Sequence, residues 1–333
     1  MPIRIAINGF GRIGRNVLRA GWNSDAFEFV HINDLSPDEM GAYLLEHDSV
    51  HRTWGEVSAV DGGLCINGTV VPTSSERDPA QLPWKELGVD VVMECTGVFT
   101  TGTSAGQHLT AGAKKVIISA PGKDVDGTYV VGVNDHLMDS KLESIVSNAS
   151  CTTNCLAPVA KVLNQLVGIN NGMMTTVHSY TMDQNLLDGP HRKGKFRRAR
   201  AAALNMVPTT TGAAKAIALV LPELSGKLQG MAIRVPTPNV SMIDLVINTG
   251  RQTTVDEINQ AFIDAANTSM KGVLSYTNKP LVSSDLIGNP HSSIVDLSLT
   301  TVMQGNLLKV ISWYDNEWGF SNRMLDLAKR ITE

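Results

Sequence analysis

No apolar run in the 333-residue chain approaches the length needed to cross a bilayer, so no membrane-spanning helix is predicted. Met1-Pro2 leads straight into a strand-like segment, and no signal peptide or transit segment fits there, so a cytoplasmic protein is expected. There are only four cysteines, at 65, 95, 151 and 155, and their spacing matches no disulfide framework. With no Cys/His cluster around them, no metal site is expected. Basic residues are not in excess: 28 Lys and Arg against 32 Asp and Glu leave a net charge of −4. That excludes bulk attraction to nucleic acid but not a local basic patch. No internal repeat or low-complexity tract is present. What remains is ordinary globular composition, 43% hydrophobic, in a chain long enough for two domains with substantial cores.

The N-terminal third carries the first positive signal. Ile3-Arg4-Ile5-Ala6-Ile7 reads as a strand and runs at once into Gly9-Phe10-Gly11-Arg12-Ile13-Gly14. A helix-like run follows (Ile13, Val17, Leu18, Trp22), then a second strand from Phe27 to Ile32 that ends at Asp34. A lone G-x-G-x-x-G is weak evidence; strand before, helix after and an acid at the next strand end make it a dinucleotide signature. Gly9 and Gly11 let the backbone approach a pyrophosphate, Gly14 lets helix and strand pack, and the helix N-terminus faces the anion. Asp34 would accept hydrogen bonds from an adenosine ribose and repel a 2′-phosphate. Further strands at Val89–Met93, Val116–Ser119 and Ser144–Val146 end in small or polar residues, as at the carboxyl edge of a doubly wound parallel sheet.

A second signal lies at Cys151. Ile145 to Ser147 is a short strand, and Leu156, Val159, Val162, Leu163 and Leu166 mark a helix behind it. Ser150 at the N-cap would place Cys151 in the first turn, where N–H groups and the helix dipole favour a thiolate. Pro158 lies inside that helix and cannot donate to the Asn154 carbonyl, so a bend or another partner is expected, an interior Pro costing ~3 kcal/mol. The next strand, Met173 to Val177, ends on His178, an imidazole able to activate a thiol or move a proton. Beyond it, Ala232–Val235, Ser241–Asn248 and the pair Ile294–Val302 / Leu307–Tyr314 alternate with period two, the last pair around Gly305-Asn306. These predict an antiparallel sheet with one covered face. Thr254-x-x-Glu257 is a capping box opening another helix. Ser179–Phe196 is neither helix-like nor strand-like, and a loop that long is usually functional. The basic run after it, Arg197-Arg198-Ala199-Arg200, fits phosphate binding or a subunit interface better than nucleic acid.

Taken together, Ile7 to Arg15, Ser147 to Cys155, His178-Ser179-Tyr180-Thr181, Arg198-Ala199-Arg200, Pro208 to Ala214, Arg234-Val235-Pro236-Thr237 and Trp313 to Gly319 form a specific combination. From end to end the chain resembles the phosphorylating glyceraldehyde-3-phosphate dehydrogenases. The resemblance implies an α/β fold: a Rossmann-type doubly wound parallel sheet plus an α+β catalytic domain with a mixed or antiparallel sheet. Its domains would be 1–150, completed by a C-terminal helix 317–333, and 151–316 with the long loop 179–203. It also implies a homotetramer, NAD as cofactor, and glyceraldehyde 3-phosphate and inorganic phosphate as substrates.

By the same resemblance Cys151 is the nucleophile that forms a thioester and His178 the acid–base group. Thr181 and Arg234 would hold the substrate phosphate; Ser150, Thr152, Arg198, Thr211 and Gly212 would hold the attacking phosphate. Gly9, Gly11, Arg12, Ile13, Asp34, Arg77, Thr96, Gly97, Ser119 and Asn316 would contact the cofactor. Four positions depart from the family pattern: Gly189 for the usual Leu, Met182 for Asn, Phe320 for Tyr, and a loop at 192–196 about two residues longer. Gly189 implies weak use of NADP beside NAD. An erythrose-4-phosphate dehydrogenase is the nearest rival, disfavoured by the intact Thr209-Thr210-Thr211-Gly212. An RNA-binding role through Arg192 to Arg200 ranks lower because every catalytic position is filled.

Overall fold

A computed structural model describes residues 1–333. The chain forms two compact units, Met1–Ser150 with Ser321–Glu333, and Cys151–Phe320.

The first unit contains strands β1 (Ile3–Asn8), β2 (Phe27–Asn33), β3 (Val57–Val60), β4 (Gly63–Ile66), β5 (Thr69–Ser74), β6 (Val91–Glu94), β7 (Lys115–Ile118), β8 (Gly127–Thr128) and β9 (Ile145–Ser147). Helices α1 (Arg12–Gly21), α2 (Asp38–Glu46), α3 (Gly102–Ala105) and α4 (Gln107–Thr110) connect them. The nine strands form one sheet in the order β3-β4-β5-β2-β1-β6-β7-β9-β8. From β5 to β8 every pairing is parallel, while β3-β4-β5 is an antiparallel meander. The sequence reading did not detect that meander. β1 pairs with β2 on one side and β6 on the other, so the strand order reverses there and a crevice opens at the carboxyl ends. Ile5, Ile7, Val91, Val92 and Met93 are fully buried, because helices cover both faces of a parallel sheet.

The second unit begins with α5 (Cys151–Val167), which runs through Pro158 without interruption, and continues with β10 (Ile169–Ser179). After the irregular segment 180–206 come β11 (Val207–Thr210), α6 (Ala213–Val220), β12 (Leu228–Val235), β13 (Ser241–Thr249) and α7 (Val255–Asn267). The last elements are β14 (Leu274–Thr277), β15 (Ser293–Asp296), β16 (Thr301–Met303), β17 (Leu307–Tyr314) and α8 (Trp318–Thr332), the last lying mainly in the first unit. The sheet order is β11-β12-β10-β13-β17-β15-β14, with β16 also on β17. It is mixed: β10–β12 and β14–β15 are parallel and the other pairs antiparallel. Thr254 caps α7 by accepting from the Glu257 N–H at 3.2 Å, but the Glu257 carboxylate pairs with Arg251 and Thr253 instead of returning to the Thr254 N–H, so only half of the expected capping box forms.

Two expectations need correction here. The single strand expected over 294–302 is two short strands, β15 and β16, separated by a 3₁₀ turn at Leu297–Leu299, although both pair with β17. The reversal is carried by Gln304 (φ 51°) and Gly305 (φ 77°), closed by the Asn306 N–H on the Met303 carbonyl at 3.2 Å, rather than by Gly305-Asn306.

Candidate active site

In the first unit, the β1 turn and the ends of β2 and β6 enclose a cleft of about 480 Å³, lined among others by Gly9, Gly11, Asp34, Arg77 and Thr96. Gly9 has φ +93°, and a Cβ on it would lie 2.6 Å from the Thr96 nitrogen. A Cβ on Gly14 would lie 2.2 Å from the Gly9 carbonyl oxygen. Both contacts are closer than any side chain permits, so glycine is what lets β1, α1 and β6 meet. No side chain caps α1 at Gly11, and its first turn carries no acid, which leaves the positive helix end to an anion. Gly14→Ala is expected to cost ~1–3 kcal/mol of stability by overpacking and to weaken dinucleotide binding roughly tenfold, both readable by calorimetry. Unchanged dinucleotide affinity would show that the turn tolerates being pushed apart.

Asp34 is anchored by two backbone groups: Oδ2 accepts from Phe10 N–H at 2.6 Å and Oδ1 from Ser36 N–H at 2.8 Å. Each oxygen keeps acceptor capacity toward the cleft. Arg12 is ion-paired with Asp48, and Ile13 follows it in α1. Gly97 (φ +68°) follows Thr96, and Ser119, just beyond β7, donates its N–H to the Glu94 carbonyl at 3.0 Å.

Below the cleft lies a buried network that the sequence reading missed. Glu94 and His108 are 1% and 0% exposed, in a place where an unpaired polar group would be costly. Trp84 Nε1 donates to His108 Nδ1 at 3.0 Å, so His108 carries its proton on Nε2, 3.1 Å from Glu94 Oε2. Glu94 also accepts from Asn8 Nδ2 at 2.6 Å and from the Thr96 N–H at 2.9 Å, tying together both strand ends that border the cleft.

In the second unit the sheet register assembles the chemistry. β10 runs parallel to β12 with His178 opposite Arg234. The chain enters α5 through Ala149, a non-glycine residue at φ 56° whose N–H donates to Ser147 Oγ at 3.0 Å. That left-handed residue, which costs roughly 1–3 kcal/mol, is followed by Ser150 and then by Cys151 as the first residue of α5. Cys151 Sγ lies 3.5 Å from His178 Nε2. His178 Nδ1 is 2.7 Å from the Ser179 carbonyl, which can only accept, so the proton sits on Nδ1 and Nε2 faces the sulfur as an acceptor. The Tyr314 ring meets the imidazole edge-on, with centroids 5.9 Å apart. Its hydroxyl bonds Thr152 Oγ1 at 2.9 Å and Thr176 Oγ1 at 2.8 Å. Thr152 is buried, and its hydroxyl is therefore turned into the protein.

Burial pushes the Cys151 thiol up, against the opposing pull of the Arg234 guanidinium and of hydrogen bonds at Thr152 and the Cys151 N–H. Burial, helped by Arg234, holds His178 down at about 3 against its bond to the Ser179 carbonyl. Burial therefore opposes the thiolate that Arg234 and these hydrogen bonds favour. Ionising His178 alone strands a charge in the buried interior. Moving the proton from Sγ to Nε2 creates both charges in contact, so the two groups titrate as a pair.

Arg234 Nη1 donates to the Ser179 carbonyl at 3.1 Å and to Thr181 Oγ1 at 2.7 Å, and its buried Nε has no protein partner. Arg198 Nε donates to Thr209 Oγ1 at 3.1 Å and Nη2 to the Thr210 carbonyl at 3.4 Å, which brings Arg198 beside the Thr-rich turn. Thr211 Oγ1 accepts from Ala213 N–H at 3.2 Å, and Gly212 precedes α6 with no side-chain cap. Asp183, not foreseen from the sequence, accepts from both Thr181 and Arg198. Asn316 is buried, its Oδ1 accepting from Ser241 Oγ at 2.9 Å.

Two family profiles match the chain: "Glyceraldehyde 3-phosphate dehydrogenase, NAD binding domain" over residues 3–102 and "Glyceraldehyde 3-phosphate dehydrogenase, C-terminal domain" over residues 150–316. The chain belongs to the glyceraldehyde-3-phosphate dehydrogenase family. It is 57% identical over 332 residues to the glyceraldehyde-3-phosphate dehydrogenase of Priestia megaterium, covering 99% of this chain and 98% of the relative. It is 55% identical over 334 residues to glyceraldehyde-3-phosphate dehydrogenase 1 of Bacillus subtilis, covering 100% and 99%. The enzyme of Geobacillus stearothermophilus is likewise 55% identical over 332 residues, covering 99% and 98%. The dinucleotide turn falls within the segment matched by the first profile and the Cys/His pair within the segment matched by the second. No helix is long and apolar enough to cross a membrane.

Proposed function

We propose that this protein oxidises and phosphorylates D-glyceraldehyde 3-phosphate to 1,3-bisphosphoglycerate with NAD as hydride acceptor. The observation that carries the reading is the 3.5 Å contact of Cys151 Sγ with an acceptor nitrogen of His178, flanked by a half-buried Arg234 whose inaccessible Nε has no protein partner. The first unit is assigned to the cofactor and the second to catalysis.

As Cys151 Sγ attacks the aldehyde carbon, its proton moves to His178 Nε2, and the imidazolium returns it to the carbonyl oxygen to give a hemithioacetal. His178 then withdraws that hydroxyl proton as the carbonyl re-forms and the hydride departs, leaving a thioester on Cys151. NAD, when bound, supplies the acceptor for that hydride. Inorganic phosphate attacks the thioester carbon, and the Cys151 thiolate leaves. Sulfur suits the role because its ester conserves the oxidation energy for phosphate transfer. The Cys151 N–H at the start of α5 is a donor for the developing oxyanion.

Arg234 and Thr181 are assigned to the substrate phosphate, and Ser150, Thr152 (through its main chain, the hydroxyl being held by Tyr314), Arg198, Thr211 and Gly212 to the attacking phosphate. Arginine suits both because its fork pairs with two phosphate oxygens. On the cofactor side Gly9, Gly11, Arg12 and Ile13 are assigned to the pyrophosphate turn, Asp34 to the adenosine ribose and Arg77 to the adenine. Thr96, Gly97 and Ser119 are assigned to the groove, and Asn316 to the carboxamide. NADH formation from glyceraldehyde 3-phosphate, with and without inorganic phosphate, tests the whole reading; sustained turnover without phosphate would refute it.

Asp34 places a carboxylate where a 2′-phosphate would be repelled, so kcat/KM is expected to favour NAD clearly over NADP. Gly189→Leu is expected to suppress the residual NADP reaction and spare the NAD reaction, as an added side chain would exclude the 2′-phosphate from a neighbouring subunit's cofactor. A wild type that prefers NADP would refute the role given to Asp34. A homotetramer is supported by the exposed apolar side chains of the irregular segment, among them Met182, Leu186, Leu187, Phe196, Leu204 and Met206. Sedimentation equilibrium reads the subunit number directly. Four unpaired thiols fit a reducing, cytoplasmic location.

A further inference from the structure

Around the two arginines of the catalytic unit, cations outnumber anions. Lys195, Arg198 and Arg234 act electrostatically on one another and on a single carboxylate, Asp183. Its two oxygens are divided: Oδ1 accepts from the Thr181 hydroxyl and Oδ2 from Arg198 Nη1. Thr181 in turn accepts from Arg234 Nη1 at 2.7 Å. The donors assigned above to two different phosphates therefore converge on one side chain of the protein's own. His191 lies nearby, its Nε2 3.8 Å from Asp183 Oδ2 and beyond hydrogen-bonding range.

We propose that Asp183 is an internal counter-anion: in the empty site it occupies the donors of both phosphate positions and must release them before phosphate is held. The proposal rests on the phosphate roles assigned to Thr181, Arg198 and Arg234. A carboxylate matches phosphate in charge sign and in its paired acceptor oxygens. Three cations and one carboxylate leave a formal charge of +2, which one phosphate dianion balances. A second dianion would bring the cluster to −2, and turning Asp183 away would relieve that to −1.

The two partners differ in freedom to move. The Arg198 side chain is 12% accessible and is held by Thr209 and Thr210, whereas Asp183 is 40% accessible on an irregular segment. The carboxylate is thus the mobile partner, and water can solvate it once displaced. Its return into the donors would also help a phosphorylated product leave.

The test is calorimetric titration of the full-length enzyme with inorganic phosphate near neutral pH, at low and at high salt. Asp183→Asn preserves shape without charge, and Asp183→Ala removes the acceptor altogether. Both are expected to bind phosphate about two- to fivefold more tightly than wild type, the scale of a partly exposed ion pair. The gain is expected to shrink at high salt, as screening demands and as a purely structural role would not. Weaker or unchanged binding in both variants overturns the proposal and makes Asp183 a support for Arg198. Arg198→Ala is the control for the underlying assignment and is expected to lose most phosphate affinity. If it binds as wild type does, the phosphate role of Arg198 fails, a result distinct from failure at Asp183.

Discussion

Cys151→Ser is expected to abolish phosphorylating turnover while leaving NAD affinity nearly unchanged. The sulfur carries the acyl group, and a serine hydroxyl in the same place would be a far weaker nucleophile and a poor leaving group toward phosphate. The cofactor turn at Gly9 to Gly14 contains none of these atoms. Cys155→Ser is the matched control. Cys155 is fully buried one helical turn on, its Sγ 3.4 Å from Ser293 Oγ and within reach of the Ser312 and Trp313 carbonyls. A serine hydroxyl finds the same acceptors there, so most activity is expected to survive. Comparing initial rates and cofactor titrations for the two variants decides the matter; equal losses of activity would remove Cys151 from its place as sole nucleophile.

His178→Asn is expected to lower kcat by about 10²–10⁴-fold with a much smaller change in KM, the usual reach of general acid–base catalysis. The fold predicts a second consequence. Burial already pushes the Cys151 thiol up, and without the imidazole an ionised sulfur would keep Arg234, Thr152 and the helix-start N–H groups for compensation. Alkylation by a neutral reagent should therefore slow near pH 7, and its pH profile should move to higher pH. Arg234→Leu should move it the same way, because the guanidinium favours the thiolate. An unchanged profile in His178→Asn would mean that Arg234 and α5 sustain the thiolate without a proton acceptor.

Several of these positions were legible because their chemistry is local. The glycines of the dinucleotide turn lie within six residues, and two of them, Gly9 and Gly14, answer to close backbone approaches. The Cys151 helix start and the strand leading to His178 each follow from short-range periodicity. The same reasoning erred where tertiary contacts override it. The period-two pattern over 294–302 does not show that the chain turns at Leu297–Leu299 while both flanking pieces stay on β17. The meander over Val57–Ser74 went undetected because its strands are short, four to six residues each. The helix start at Cys151 is readable from sequence, but the burial that opposes a thiolate there is not, since burial is a property of everything packed around the sulfur.

The sequence by itself determined the fold class, the dinucleotide turn and the family, and it pointed to Cys151 and His178 as the proposed nucleophile and base, since each depends on residues close in the chain or on the whole pattern of motifs. Tertiary structure alone decided how those residues act. The parallel register of β10 and β12 sets Arg234 beside His178, and the Ser179 carbonyl selects the imidazole tautomer. Tyr314, more than a hundred residues downstream, fixes the hydroxyls of Thr152 and Thr176. Asp183 meets Arg198 across a segment with no periodicity to read. A side chain's proton, charge and freedom to move depend on neighbours that the fold brings in from distant parts of the chain.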